Sequence, residues 1–361
     1  MIRLRRGRVV DVVEERPDAV QVQVEVEGET ASAIAYPGIT GPVERGDTVL
    51  LNTTAVDLEL GTGGVHFVMA VEGGPDLDPV PSGRTMKLRY TPEQVKVVAV
   101  EEDDSIHRSV MLRTHDLGGT PVVWVPLHSL LAPAAAGAKA AGADRVAYVM
   151  TDGAALPAAL SRLVVALRTA GLVDAVVTSG QAFGGDLETV TTFTGLLAAK
   201  AIAGADVIIV GDGPGNTGTN TMWGATDVES AMALNAAGIL GGRPIASLRV
   251  SFADPRERHQ GVSHHAITAL SRVALVPVHV AVPQTLDEHR RAAIWDSLRS
   301  ARLEERHQLV EATGQPALDV LRRSGVDVES MGRAIDDDPE FFLAGGAAGV
   351  LAGRMATRRW R

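Results

Sequence analysis

The residues with the most chemistry to offer lie in one run, Ser251-Phe252-Ala253-Asp254-Pro255-Arg256-Glu257-Arg258-His259-Gln260-Gly261-Val262-Ser263-His264-His265. It gathers three of the 10 histidines, two arginines and two acids. Imidazoles exchange protons near neutral pH, and guanidinium forks hold phosphate or carboxylate through paired hydrogen bonds. His264, His265 and Asp254 are therefore read as the acid–base group, with Arg256 and Arg258 as holders of an anion. Neutral imidazoles also ligate divalent metals, which makes His259 a candidate ligand, although the spacing is not the His-Glu-x-x-His of a specific metal site. A structural reading stands beside this one. Asp254-Pro255-Arg256-Glu257 fits an N-cap, a first-turn proline and a favourable acid, Ser263 fits a second cap, and both arginines have Asp254 or Glu257 nearby as ion-pair partners.

A second stretch, Gly211-Asp212-Gly213-Pro214-Gly215-Asn216-Thr217-Gly218-Thr219-Asn220-Thr221, supplies a different tool. Gly213-x-Gly215-x-x-Gly218 has the form of a dinucleotide fingerprint, but the next helix signal comes only at the Thr226-x-x-Glu229 capping box. That gap weakens a nicotinamide reading. No Gly-Lys-Ser/Thr follows, so it is not a Walker loop. A long βα connection rich in glycine and hydroxyls can turn N–H groups toward an anion, and Gly213, Gly215, Gly218 and Thr219 are the cofactor-holding candidates, against a plain wide turn. Lesser candidates are Asp152 and Asp186 at strand ends, His128, and Ser179, which sits in Ser-Gly-Gln rather than a Gly-x-Ser-x-Gly elbow. Gly61 to His66 reads as a glycine-rich hairpin carrying an imidazole.

The elements that must position these residues change character near residue 115. Before it, Val20-Gln21-Val22-Gln23-Val24-Glu25-Val26 alternates with period two, and turn signals at Gly28, Pro37-Gly38, Gly46 and Gly73-Gly74 separate short strands. This predicts a small antiparallel barrel or sandwich over 1–74, then a connector and early strands over 75–114. After it, apolar runs at Val122–Val125, Val146–Met150, Ala175–Thr178, Val207–Val210, Ile245–Val250 and Val273–Val280 alternate with Ala/Leu-rich helical stretches. Such alternation requires crossovers and predicts a doubly wound, Rossmann-like parallel sheet over 115–310, followed by a helical tail over 311–361. Ligands in such sheets bind outside the carboxyl ends of the strands, and both chemical stretches directly follow a predicted strand.

Composition removes several classes. With 361 residues, 45% of them hydrophobic, the chain can bury a large core. A net charge of -10 argues against nucleic acid or an anionic membrane as a general partner. The basic cluster Arg354, Arg358, Arg359 and Arg361 beside Trp360 is a short solvated stretch. There is no cysteine, so thiolate catalysis and disulfides are excluded. Neither a secretory signal nor a bilayer-spanning run is visible, and a cytoplasmic location is expected.

Leu51 to Leu58, Met86-Lys87-Leu88-Arg89-Tyr90, Gly180 to Glu188, Gly213-Pro214-Gly215 with Gly218-Thr219, and Ser251 to His265 together resemble a bacterial family catalogued only as a domain of unknown function. The resemblance spans nearly the whole chain and implies a shared site without implying a reaction. Two function classes fit the residues. One is an enzyme for a small anionic, phosphorylated or nucleotide-like substrate, such as a phosphate-ester hydrolase or transferase, with a divalent metal as an optional cofactor. The other is a non-catalytic sensor or scaffold for the same kind of ligand. A homodimer is expected, because Phe341 to Leu351 is apolar on too many sides for a solvated helix.

Overall fold

The computed structural model describes residues 2–58, 64–78, 82–285 and 287–357. The Gly61–Gly63 part of the glycine-rich hairpin, residues 79–81 of the connector and the Arg358, Arg359, Trp360, Arg361 cluster lie outside the described residues. The chain forms two compact units, Met1–Pro81 with Met86–Val97, and Ser82–Thr85 with Val98–Arg361.

The first unit is a closed barrel of β1 (Leu4–Arg16), β2 (Ala19–Val26), β3 (Glu29–Ala35), β4 (Thr48–Asn52) and β5 (His66–Val71), in the order β1-β2-β3-β5-β4. Every pairing is antiparallel except β3 with β5. The period-two pattern does what it predicts: Val22, Val24 and Val26 point inward with Val9, Ala33, Val49, Leu51 and Val68, while Gln23 and Glu25 point away. Register shifts after Val9 and Val12 bend the 13-residue β1 so that it pairs with both β2 and β4.

The second unit carries a sheet of β6 (Pro121–Trp124), β7 (Val146–Thr151), β8 (Ala175–Thr178), β9 (Leu187–Glu188), β10 (Val207–Asp212), β11 (Arg243–Ser247), β12 (His279–Pro283) and β13 (Gln308–Ala312). All pairings are parallel, in the order β9-β8-β7-β10-β6-β11-β12-β13. Burial on both faces explains why these strands read as unbroken apolar runs. One face is covered by α1 (Leu131–Ala140), α2 (Arg162–Thr169), α8 (Gln315–Ser324) and α9 (Pro339–Ala356). The other is covered by α3 (Thr192–Ala201), α4 (Thr226–Ser230), α5 (Met232–Ile239), α6 (His264–Thr268) and α7 (Glu288–Ser300).

Three details correct the expectations. The run Val273–Val280 is not a strand: Ala269–Val273 is a π-helical turn continuing α6, and the strand begins at His279. Its length suited a strand, but Asn235 seizes the backbone here, donating to the Val273 carbonyl and accepting from Leu275 N. A further strand, β13, closes the sheet edge at residues predicted as the end of the domain. Finally, α9 is 18 residues long and lies inside its own chain's core, where Phe341 and Phe342 are buried against α1 and the sheet. Small residues permit this contact, since a side chain at Gly349 would collide with the Ala134 carbonyl. The apolar perimeter that motivated a second copy is thus covered within the chain. No described helix is long and apolar enough to cross a membrane.

Candidate functional site

The strand order fixes where a site can form. After β6 the chain crosses to β7 over one face of the sheet, and after β10 it crosses to β11 over the other. These two strands are neighbours, so their carboxyl ends open a crevice between diverging connections. His128 follows β6. Asp212 ends β10 and begins the glycine-rich loop. Arg249 follows β11, and a small hairpin, Val250–Ser251 paired with Gly261–Val262, presents the histidine-rich run.

Within that run the arginines and acids divide into two groups. Asp254 is fully buried and receives Arg256 through two bonds, Nε to Oδ1 at 2.8 Å and Nη2 to Oδ2 at 2.7 Å. Arg333 and Arg249 approach the same Oδ2 at 3.4 and 3.6 Å. The Arg256 hydrogen bond, reinforced by its charge and that of Arg249, holds the Asp254 carboxyl far below the ordinary carboxylate range. A carboxylate fixed in this way neither gives nor takes a proton near neutral pH. Asp254, expected as a catalytic residue, is held as a buried anion by Arg256, the residue expected to hold a ligand anion. The bonding continues to α9: Ser251 Oγ donates to Asp338 Oδ2 at 2.6 Å and Arg333 Nε to the same oxygen at 3.2 Å. Asp254 caps no helix, and Ser263 stands at the N-cap of α6 without a side-chain capping bond. Asp254 accepts Arg256 N in a tight turn, and Ser263 Oγ bonds His259 Nδ1.

The remaining groups form a cluster with unused capacity. His264 and His265 stack with ring centres 3.8 Å apart, and His259 lies 5.8 and 6.1 Å from them. Among the described residues, His264 Nε2, Arg258 Nε and Asp227 Oδ2 are buried atoms without a hydrogen-bond partner. Asp227 is 4% exposed and Arg249 6%. Among the described residues, the Arg249 guanidinium makes only the 3.6 Å approach to Asp254 and a 3.8 Å contact with Met331 sulfur. Burial and the charges of Arg256 and Arg333 bring it down to about 10. Burial pushes the Asp227 carboxyl up, while charge on His265 and Arg249 pulls it back. His264 is lowered by burial and then by charge on His265, Arg258 and Arg249. His259 falls to about 3, through burial and the charges of Arg249 and Arg256. His259 is a buried imidazole bonded to Ser263 Oγ, and among the described residues no group of three His, Asp or Glu side chains is placed to share a metal ion.

The glycine-rich loop does meet the histidine run, but by other means than its composition suggested. Thr221 O accepts from His265 Nε2 at 3.0 Å, which fixes a proton on that nitrogen, and Gly218 lies against the His265 ring. The loop is a hairpin, with Gly218 bridging Ala225 and Thr226 N bonded to Thr217 O. Thr219 Oγ1 bonds Gly224 O at 2.9 Å and shares a hydrogen bond with Thr221 Oγ1 at 2.8 Å. The Thr219 hydroxyl, a cofactor-holding candidate, is thus bonded inside the turn. Gly213 is required by packing, since a side chain there would press into Ala155 O and Met150, whereas Gly215 takes a positive φ of 95° with open space around it. The helix that follows is capped by Ala225, so Thr226 is its first residue rather than its cap.

Asp212 was the least conspicuous of these residues in sequence. It is 2% exposed, and its Oδ1 accepts Thr151 Oγ1 at 2.6 Å and Gly153 N at 3.2 Å. Asn216 Nδ2 donates to its Oδ2 at 2.9 Å and reaches Thr226 Oγ1 at 3.0 Å, next to Asp227. Burial raises this carboxyl to about 6, with Asp227 adding to the rise. Its only signal in sequence was an acid ending an apolar strand at the head of a glycine loop. The lesser candidates all bond within the chain. Asp186 binds Arg168 and Val176 N, Asp152 accepts Gln181 N, and Ser179 is buried against Met150 O. His128 is held by Ser161 at 2.7 Å and by Asp212 O and Tyr148 at 3.3 Å. In the barrel, His66 is buried and lowered by that burial.

A cleft of about 700 Å³, lined by residues of α2 and by Ser324 to Asp327 and Glu329, shares no residue with this cluster and gathers none of its chemistry. A family model described as a protein of unknown function, DUF3866, matches residues 32–349. No curated protein matches the chain.

Proposed function

Because the chain belongs to the DUF3866 family, whose description assigns no activity, function must come from the site, and we propose that the protein is an enzyme acting on a small anionic, phosphorylated or nucleotide-like substrate. The observation that carries this reading is that Arg258 Nε, His264 Nε2 and Asp227 Oδ2 are buried and, among the described residues, unpartnered, while the under-bonded Arg249 acts through its charge on both His264 and Asp227. Buried polar groups left without partners cost stability, and a chain keeps them where a ligand completes them. Arg249 and Arg258 supply the positive charge for the anion. His264, neutral at neutral pH, accepts a proton from the reacting group or from water, and Asp227 compensates charge that develops on the imidazole pair. A site for passive anion sensing needs guanidinium and N–H donors only. The buried carboxylate and the free imidazole nitrogen favour the enzyme.

Native mass spectrometry of the purified protein tests for a co-purified anion, and calorimetry with inorganic phosphate tests the site directly. Binding that disappears in Arg258→Ala supports the reading; no co-purified anion and no phosphate binding would remove it.

A further inference from the structure

The glycine hairpin presents a problem that its hydrogen bonds solve. Its hydroxyls and carbonyls at the tip are consumed internally, by Thr219 with Gly224 and Thr221 and by Thr221 with His265. The tip therefore has little left with which to hold phosphate. It offers instead the indole of Trp223, 59% exposed, beside Met222, 52% exposed. An exposed indole on a loosely hung loop would be unremarked, but this loop is cross-bonded at its base and tip and pinned to His265 two residues before the ring. The loop that carries the ring is thus fixed against His265, which itself stacks on His264, so ordering it adds little entropic cost to binding. A planar side chain in that position stacks on a planar ligand, with gain from burial and from π-face contact.

We propose that Trp223 is the stacking platform for the base of a nucleotide whose phosphate occupies the Arg249–Arg258–His264 cluster. This deepens the preceding assignment and rests on it: the cluster accounts for charge, and Trp223 accounts for an aromatic ring joined to that charge. The hairpin then selects nucleotides over sugar phosphates without any hydrogen bond to the base edge.

The test is calorimetry of the whole chain with inorganic phosphate, ribose 5-phosphate and the four common ribonucleoside monophosphates, repeated on Trp223→Ala and Trp223→Phe. At least one nucleotide is expected to bind tenfold or more tightly than ribose 5-phosphate. Trp223→Ala should abolish that gap and Trp223→Phe should keep most of it, while phosphate affinity stays constant in all three proteins. Equal affinity for nucleotides and ribose 5-phosphate in the natural protein, or a gap that survives Trp223→Ala, overturns the stacking role and leaves the anion site standing. Failure of every anion to bind, phosphate included, overturns both.

Discussion

Asp254 and Arg258 sit four residues apart, yet Asp254 is bonded on both oxygens by Arg256 while Arg258 Nε has no partner among the described residues, and substitution should separate brace from proposed anion holder. Arg256→Ala breaks the bidentate partner of a fully buried carboxylate. It is expected to cost about 3 kcal/mol, the low end for breaking a buried pair, because Arg249 and Arg333 remain near Asp254. Thermal melts should show the loss and calorimetry with phosphate should show none. Arg258→Ala should do the reverse, leaving the melting temperature within a few degrees and weakening anion binding by about 1.5–3 kcal/mol per lost charge-assisted bond. Asp212 makes a separate prediction. Its carboxyl is raised to about 6 against an ordinary 3.8, so the stability it contributes is present below 3.8 and lost as pH rises through 6. Asp212→Asn should therefore stabilise the protein at pH 7, by up to about 3 kcal/mol on that shift, and any enzymatic activity should fall. A variant less stable at pH 7 would mark Asp212 as a simple structural acceptor.

At the scale of elements, what sequence revealed follows a physical line. Periodicity and apolar runs depend on which side of an element is wet, so the barrel strands and five of the six proposed sheet strands were legible. The sixth, Val273–Val280, failed because the side chain of Asn235, 38 residues from Val273, captures the backbone there. The histidine-rich run stood out in sequence as a candidate, but the bonding of Asp254 and Arg256 to each other was not legible, since it depends on Arg249, Arg333 and Asp338 arriving from elsewhere. Asp227 was hidden inside what read as a capping box. The close contact of α9 with α1 also makes a prediction: Gly349→Val drives a branched side chain into the Ala134 carbonyl and should cost more than about 3 kcal/mol, seen as loss of the cooperative melt or of soluble yield. Gly215→Ala, with open space around it, should cost less, and only through its positive φ.

For the molecule as a whole, buried neutral imidazoles set the acid limit. His128 is brought to about 4 by burial, against an ordinary 6.5, so its contribution is complete above 6.5 and is lost as pH falls toward 4. That shift corresponds to about 3 kcal/mol. Asp212 runs the other way over nearly the same interval, and the two largely offset each other. Chemical denaturation at pH 7, 6, 5 and 4 should show a decline in the natural protein, because His259 loses stability over the same interval with nothing to offset it, and a steeper one in Asp212→Asn; equal slopes would show that Asp212 is not protonated in this range.

The covering of one sheet face by Pro339–Ala356 also has a consequence for biosynthesis. The barrel has all its strands once Val71 has been added, so that unit can close early on the ribosome. The parallel sheet cannot: α1, made some two hundred residues earlier, lacks its packing partner until α9 is translated. Through that whole interval the nascent chain carries an uncovered apolar face, and it is there that a chaperone has the longest time to bind.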